Sequence, residues 1–165
     1  MRIFTAFLFI LFVTACAAYP VIPAKRLGQT IEEHEKLRVA AESGDLDAQY
    51  EYGWSYCCGQ GALYDNRVAT KWMCSAAKKE HTKSMVKIAD LYKGKLISLP
   101  GYEKFVKRLP SNDKIALAWY IVADQKGDPD GKKGIDIFRF MEFSDVVEAI
   151  DLSRKYPEIP CEVER

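Results

Sequence analysis

Histidine is scarce in this chain, with 2 in 165 residues, and that shortage removes most metal and acid–base chemistry at the outset. His34 and His81 fall in different parts of the sequence. The stretch His34-Glu35-Lys36-Leu37-Arg38 places arginine where the zinc-protease pattern needs a second histidine. A glycine-rich phosphate loop and a Gly-x-Ser-x-Gly elbow are also lacking. Glu32, Glu33 and Glu35 read as a solvated helix face, not as a paired acid and base. No catalytic residue, metal ligand or cofactor site is assigned, and the chain is not expected to be an enzyme. An excess of charge is missing too: Lys+Arg 24 against Asp+Glu 23 leaves +1, so there is no basic field for nucleic acid. The length suits one domain with a real core and is short for two.

Long hydrophobic runs are absent except at the start. "MRIFTAFLFILFVTAC" has one positive charge, a mostly apolar run from Ile3 to Val13, then small residues. That is the layout of a secretory signal, and it is too short for a permanent bilayer span. Val13-Thr14-Ala15-Cys16 resembles the lipobox of bacterial lipoproteins. The resemblance implies a diacylglycerol on the Cys16 thiol and cleavage just before it, giving a signal over residues 1–15 and a lipidated cysteine with a tether over 16–29. Losing Arg2 with the signal leaves the mature chain neutral. Ala17 after the cysteine, in place of aspartate, favours an outer-membrane anchor facing the periplasm. A soluble periplasmic protein and an inner-membrane lipoprotein are the alternatives.

Beyond the tether, Thr30-Ile31-Glu32-Glu33 offers a capping box and predicts a helix over about 31–42. Comparison of the sequence with itself then points to the fold class. "AAESGDLDAQYEYGWSY" from Ala40 aligns with "AAKKEHTKSMVKIADLY" from Ala76, 36 residues on, and "NRVATKWMCSAA" from Asn66 is echoed by "DKIALAWYIVAD" from Asp113. Each unit reads as a helix hairpin. In the first, a helix over about 46–57 ends at Gly59-Gln60-Gly61, and Asp65 caps a second over about 66–79. Gly53 and Ala69 let the two backbones approach closely, with Tyr52, Tyr56, Trp72 and Ala76 filling the seam. Such a seam needs neighbours stacked on it.

Ala48, Tyr52-Gly53, Tyr56, Gly59-Gln60-Gly61, Asp65, Ala69, Trp72 and Ala76-Ala77 resemble the Sel1-like repeat, a relative of the tetratricopeptide repeat. The resemblance implies an all-α short solenoid of helix hairpins over 30–156, with an insertion at 95–111. The insertion carries two prolines, Tyr102, Phe105 and four basic residues. "KGDPDGKKG" reads as a breaker cluster. After it, Val146, Val147, Ile150 and Leu152 at helical spacing predict a helix capping the open end of the stack, followed by a tail over 157–165.

With Cys16 lipidated, Cys57, Cys58, Cys74 and Cys161 remain in an oxidising compartment. Cys57 and Cys74 are separated along the hairpin by more than two turns, and an adjacent Cys57–Cys58 bridge is strained. The expected bridge joins Cys161 to Cys57 or Cys58, with Cys74 buried and free; a fully reduced set is the alternative.

A second stripe on the first repeat helix runs through Tyr50, Trp54, Cys57 and Cys58. By analogy with tetratricopeptide repeats, Asp47, Tyr50 and Trp54 line a concave wall, joined in the next unit by Lys83, Val86, Asp90 and Lys93. Cover by the first helix or the tail is the competing reading for the aromatics. The Sel1-like resemblance implies a protein-binding adaptor without conserved catalysis. Small lipoproteins of this kind resemble immunity partners that neutralise secreted antibacterial toxins such as phospholipases. An assembly factor for cell wall or polysaccharide, or a cell-wall hydrolase, are the other classes. The expected partners are another protein and, through the lipid, a membrane, with no nucleic acid.

Overall fold

A computed structural model describes residues 29–57, 65–94 and 111–162. Among them are seven helices and no strand: α1 Ile31–Ser43, α2 Leu46–Ser55, α3 Asn66–Ala77, α4 Thr82–Tyr92, α5 Asp113–Gln125, α6 Pro129–Asp136 and α7 Phe143–Ser153. The lipobox with Cys16, Cys58, Gly59-Gln60-Gly61, Tyr102 and Phe105 lie outside the described residues.

Local chemistry sets the helix starts. The Thr30 hydroxyl accepts from the Glu33 amide at 3.1 Å while the Thr30 amide donates to the Glu33 carboxylate at 2.7 Å, the reciprocal box read from the sequence. Asp45 accepts from the Ala48 amide at 2.8 Å. Asp65 accepts from the amides of Arg67 and Val68, and Asn112 from that of Ile115. Gly44 closes α1 at φ 100°, a left-handed turn that frees α2 to fold back on α1.

From α1 to α5 each helix packs on the next in chain order, and α5 takes both α6 and α7. Gly53 is the point of closest approach between α2 and α3: a Cβ there would stand 2.9 Å from the Ala69 carbonyl oxygen and 3.0 Å from Met73 Cγ. Met73, Met85, Ile88, Leu91, Trp119 and Tyr120 form the main core between α3, α4 and α5. A smaller cluster of Ala41, Ala48 and Tyr52, joined by Leu37, Tyr56 and Trp72, holds α1 to α2 and α3.

Two expectations need correction. The breaker cluster contains helix α6, capped by Asp128, whose side chain accepts from the Asp130 amide at 2.9 Å, with Pro129 in the first turn where its missing N–H costs nothing. Gly127, at φ 85°, does turn the chain after α5, whereas the two glycines within α6 serve contact. Gly131 lies against the backbone of α5 and Gly134 against the Tyr120 ring, so larger residues would hold the two helices apart.

The disulfide pairing also differs. Cys161 is bonded to Cys74, not to Cys57 or Cys58, with the Cα atoms 5.8 Å apart, and Cys74 is therefore buried but not free. The physical reason lies in the path of the tail. The Tyr156 hydroxyl donates to the Ala77 carbonyl at 3.0 Å and accepts from the Glu80 amide at 3.2 Å, which carries the chain over the end of α3. Trp119 Nε1 then donates to the Pro160 carbonyl at 3.0 Å, and Ile159 is buried with Cys161 in the main core. Cys57 is also disulfide-bonded.

Candidate functional site

The seven residues expected on the wall belong to α2 and α4 or their immediate flanks, and side chains there tie α2 to α4. Tyr50 is 9% exposed, edge-on to Trp54 at 5.3 Å and tilted over the His81 ring at 5.4 Å. Part of the expected aromatic strip is therefore packing between helices, with the His81 ring set against Tyr50. Trp54 is half-buried, with Lys87 Nζ 4.6 Å from its ring centre, a cation–π contact from α4 back to α2.

His81 occupies the N-cap of α4. Its Nδ1 accepts the Ser84 amide at 3.3 Å and lies 2.7 Å from the Ser84 hydroxyl, while Nε2 is 3.1 Å from the exposed carboxylate of Asp47. Because Nδ1 accepts the amide proton, the ring proton of neutral His81 is on Nε2 and is donated to Asp47. Serine, histidine and aspartate in a row have the composition of a hydrolase triad. Here Ser84 is fully buried in the first turn of α4, out of reach of any substrate, and the row acts as a helix cap tied to α2.

Further along α4, Asp90 accepts the Tyr120 hydroxyl at 2.5 Å. Burial pushes the titration of that phenol well up, so it remains a protonated donor. Lys93 Nζ stands 5.2 Å from the ring centre of Phe138, just beyond α6. Lys83 is exposed and Val86 half-buried. Of the seven, Asp47 and Lys83 present the most open side chains, Trp54, Val86 and Lys93 present partial faces, and Tyr50 and Asp90 are engaged within the fold. Sequence reasoning missed the packing roles of His81 and Lys87 in this wall. The available signal was His81 directly before Thr82, a position suited to a helix N-cap.

No group of three or more potential metal ligands gathers among the described residues, and no helix there is long and apolar enough to cross a membrane. Comparison with known protein families, with curated proteins and with solved structures finds no match.

His34 is the other site of stored electrostatic cost. It is 1% exposed, with its ring centre 5.0 Å from Tyr52 and 6.1 Å from Tyr56, and neither ring nitrogen has a hydrogen-bond partner among the described residues. Desolvation lowers its pKa below the ordinary 6.5, outweighing the opposing pull of Glu35. A depressed folded-state value means that the unfolded chain binds the proton more readily. The contribution to stability is thus complete above pH 6.5 and is lost as the pH falls through the folded value. Melting profiles between about pH 7 and pH 5 should show this loss. His34→Leu, which removes both unpaired nitrogens, should flatten the profile and raise the melting temperature; an unchanged slope would assign the acid sensitivity to other groups.

Proposed function

We propose that this chain is a membrane-anchored, protein-binding adaptor of the bacterial envelope. It is held by lipid on Cys16 and built as a short solenoid of Sel1-like hairpins. Support for the repeat reading comes from the pairing of α2 with α3 and of α4 with α5, with Gly53 set against Ala69 at the first crossing. The observation that carries the binding role is the wall itself. Asp47 to His81 at 3.1 Å and Trp54 to Lys87 at 4.6 Å tie α2 to α4, and Lys93 to Phe138 at 5.2 Å ties the end of α4 to the turn after α6, beside the open charge of Lys83. An aromatic and charged face held rigid before contact loses little side-chain entropy on binding, which favours a protein partner. The partner class that the Sel1-like lipoprotein resemblance implies is a secreted toxin acting in the periplasm, such as a phospholipase.

The test is recovery of partner on the tagged full chain extracted from membranes. Trp54→Ala and Lys83→Glu should each lower that recovery by about tenfold or more while the helical circular-dichroism signal persists. The same copurifying proteins in the same amounts, with both variants folded, would remove this wall as the binding face.

A further inference from the structure

The last helix turns an apolar seam to solvent. Phe143 is 81% exposed, Val147 41% and Ile150 37%, and the turn before α7 adds Phe140 at 85% and Ile137 at 44%. Positions 143, 147 and 150 on α7 are spaced four and three apart, the repeat by which one helix packs along another, and Phe140 extends the apolar patch from the turn before it. Inward-facing Val146, Ala149 and Leu152 already pack α7 onto the core. Together the five outer residues expose roughly 500 Å² of apolar surface, with each phenylalanine giving on the order of 150 Å², which is at the upper end for a chain that works alone.

We infer that this face is a two-fold interface with a second copy of this chain, in which α7 crosses α7 of the partner copy antiparallel, centred on Val147. The register matches itself. Phe143 lies four residues before Val147 and Ile150 three after, about 6 and 4.5 Å along the axis, so each Phe143 meets the Ile150 of the other copy. Arg154, at the far end of the seam, then falls over the other copy's start of α7. That start carries Phe140 and the exposed carboxylate of Glu142, which makes no side-chain cap hydrogen bond. Arg154 is exposed, held at 2.8 Å to Asp151, and within side-chain reach of that position. One crossing forms two Glu142–Arg154 pairs related by the two-fold axis, and such a contact closes on itself. A stable interface covers about 800 Å² on each side; the apolar seam supplies more than half and the charged rim the remainder.

Two differently tagged full-length copies, co-expressed and purified through one tag, test the contact. The second tag should copurify, and Phe143→Glu in both copies should lower its recovery about tenfold or more. Since Phe143 is exposed, that variant keeps its fold. Glu142→Arg in one copy should weaken recovery, and Arg154→Glu in the other copy should restore it, a rescue that nonspecific stickiness cannot produce. Absence of the second tag overturns the inference and leaves the face to lipid or to a different protein. Recovery that survives Phe143→Glu, or that the charge exchange does not restore, overturns this geometry. The outcome is independent of the wall formed by α2 and α4.

Discussion

Gly131→Ala is expected to cost the folded chain about 3 kcal/mol or more, as an overpacked contact between α6 and α5. A Cβ at this position would stand 2.5 Å from the Asp124 amide nitrogen and 2.9 Å from the Ala123 carbonyl carbon and the Tyr120 carbonyl oxygen. These are backbone atoms of a helix, so no side chain can rotate away. Relief requires α6 to leave α5, which also uncovers Tyr120 and strips Lys93 of its contact with Phe138. A urea titration should show the midpoint falling by the corresponding amount. Gly127 supplies the control: its φ is +85° and nothing lies within 4 Å of a Cβ there, so Gly127→Ala should cost only the left-handed penalty of about 1 kcal/mol. Equal midpoints for the two variants would mean that α6 is not seated against α5 as described.

Loss of the Cys74–Cys161 bridge should have an effect of similar size or larger. The bond closes a loop with a sequence separation of 87, and the chain-entropy relation gives about 4–5 kcal/mol for a closure of that length. Cys161→Ser should therefore bring the urea midpoint down sharply and free the tail, opening the bond from Trp119 Nε1 to the Pro160 carbonyl and exposing Ile159. Intact-mass analysis after thiol alkylation checks the pairing: Cys161→Ser should leave Cys74 as the newly reactive thiol. A wild-type midpoint in Cys161→Ser, or a newly alkylated Cys57 in place of Cys74, would contradict the bridge.

Where backbone termini need nearby side chains, the sequence was readable. Thr30 and Glu33 cap α1, Asp65 caps α3, and Gly53 meets Ala69 because small residues at matched offsets permit little else. Features that depend on contacts between distant segments were not. Gly131 and Gly134 look like helix breakers until Tyr120 and the α5 backbone are set against them. The partner of Cys161 depends on a tail path fixed by Tyr156 and Trp119, neither of which announces its acceptor. Tyr50 was legible as one member of a helix stripe, but not its ring contact with His81, 31 positions later in the chain. In α7, the apolar residues at helical spacing serve two faces, and periodicity alone cannot say that Val146 and Leu152 turn inward while Val147 and Ile150 turn out.

The central claim is that the face formed by α2 and α4 meets another protein at the membrane. It is tested most directly by placing a photo-crosslinking phenylalanine analogue at position 83 of the full chain and irradiating intact cells. Lys83 is exposed on α4, and Lys71, exposed on α3, is the control position. The account predicts a discrete adduct with a second envelope protein from position 83, recovered in the membrane fraction and absent from position 71. No adduct from position 83, or the same adduct from both positions, would contradict it.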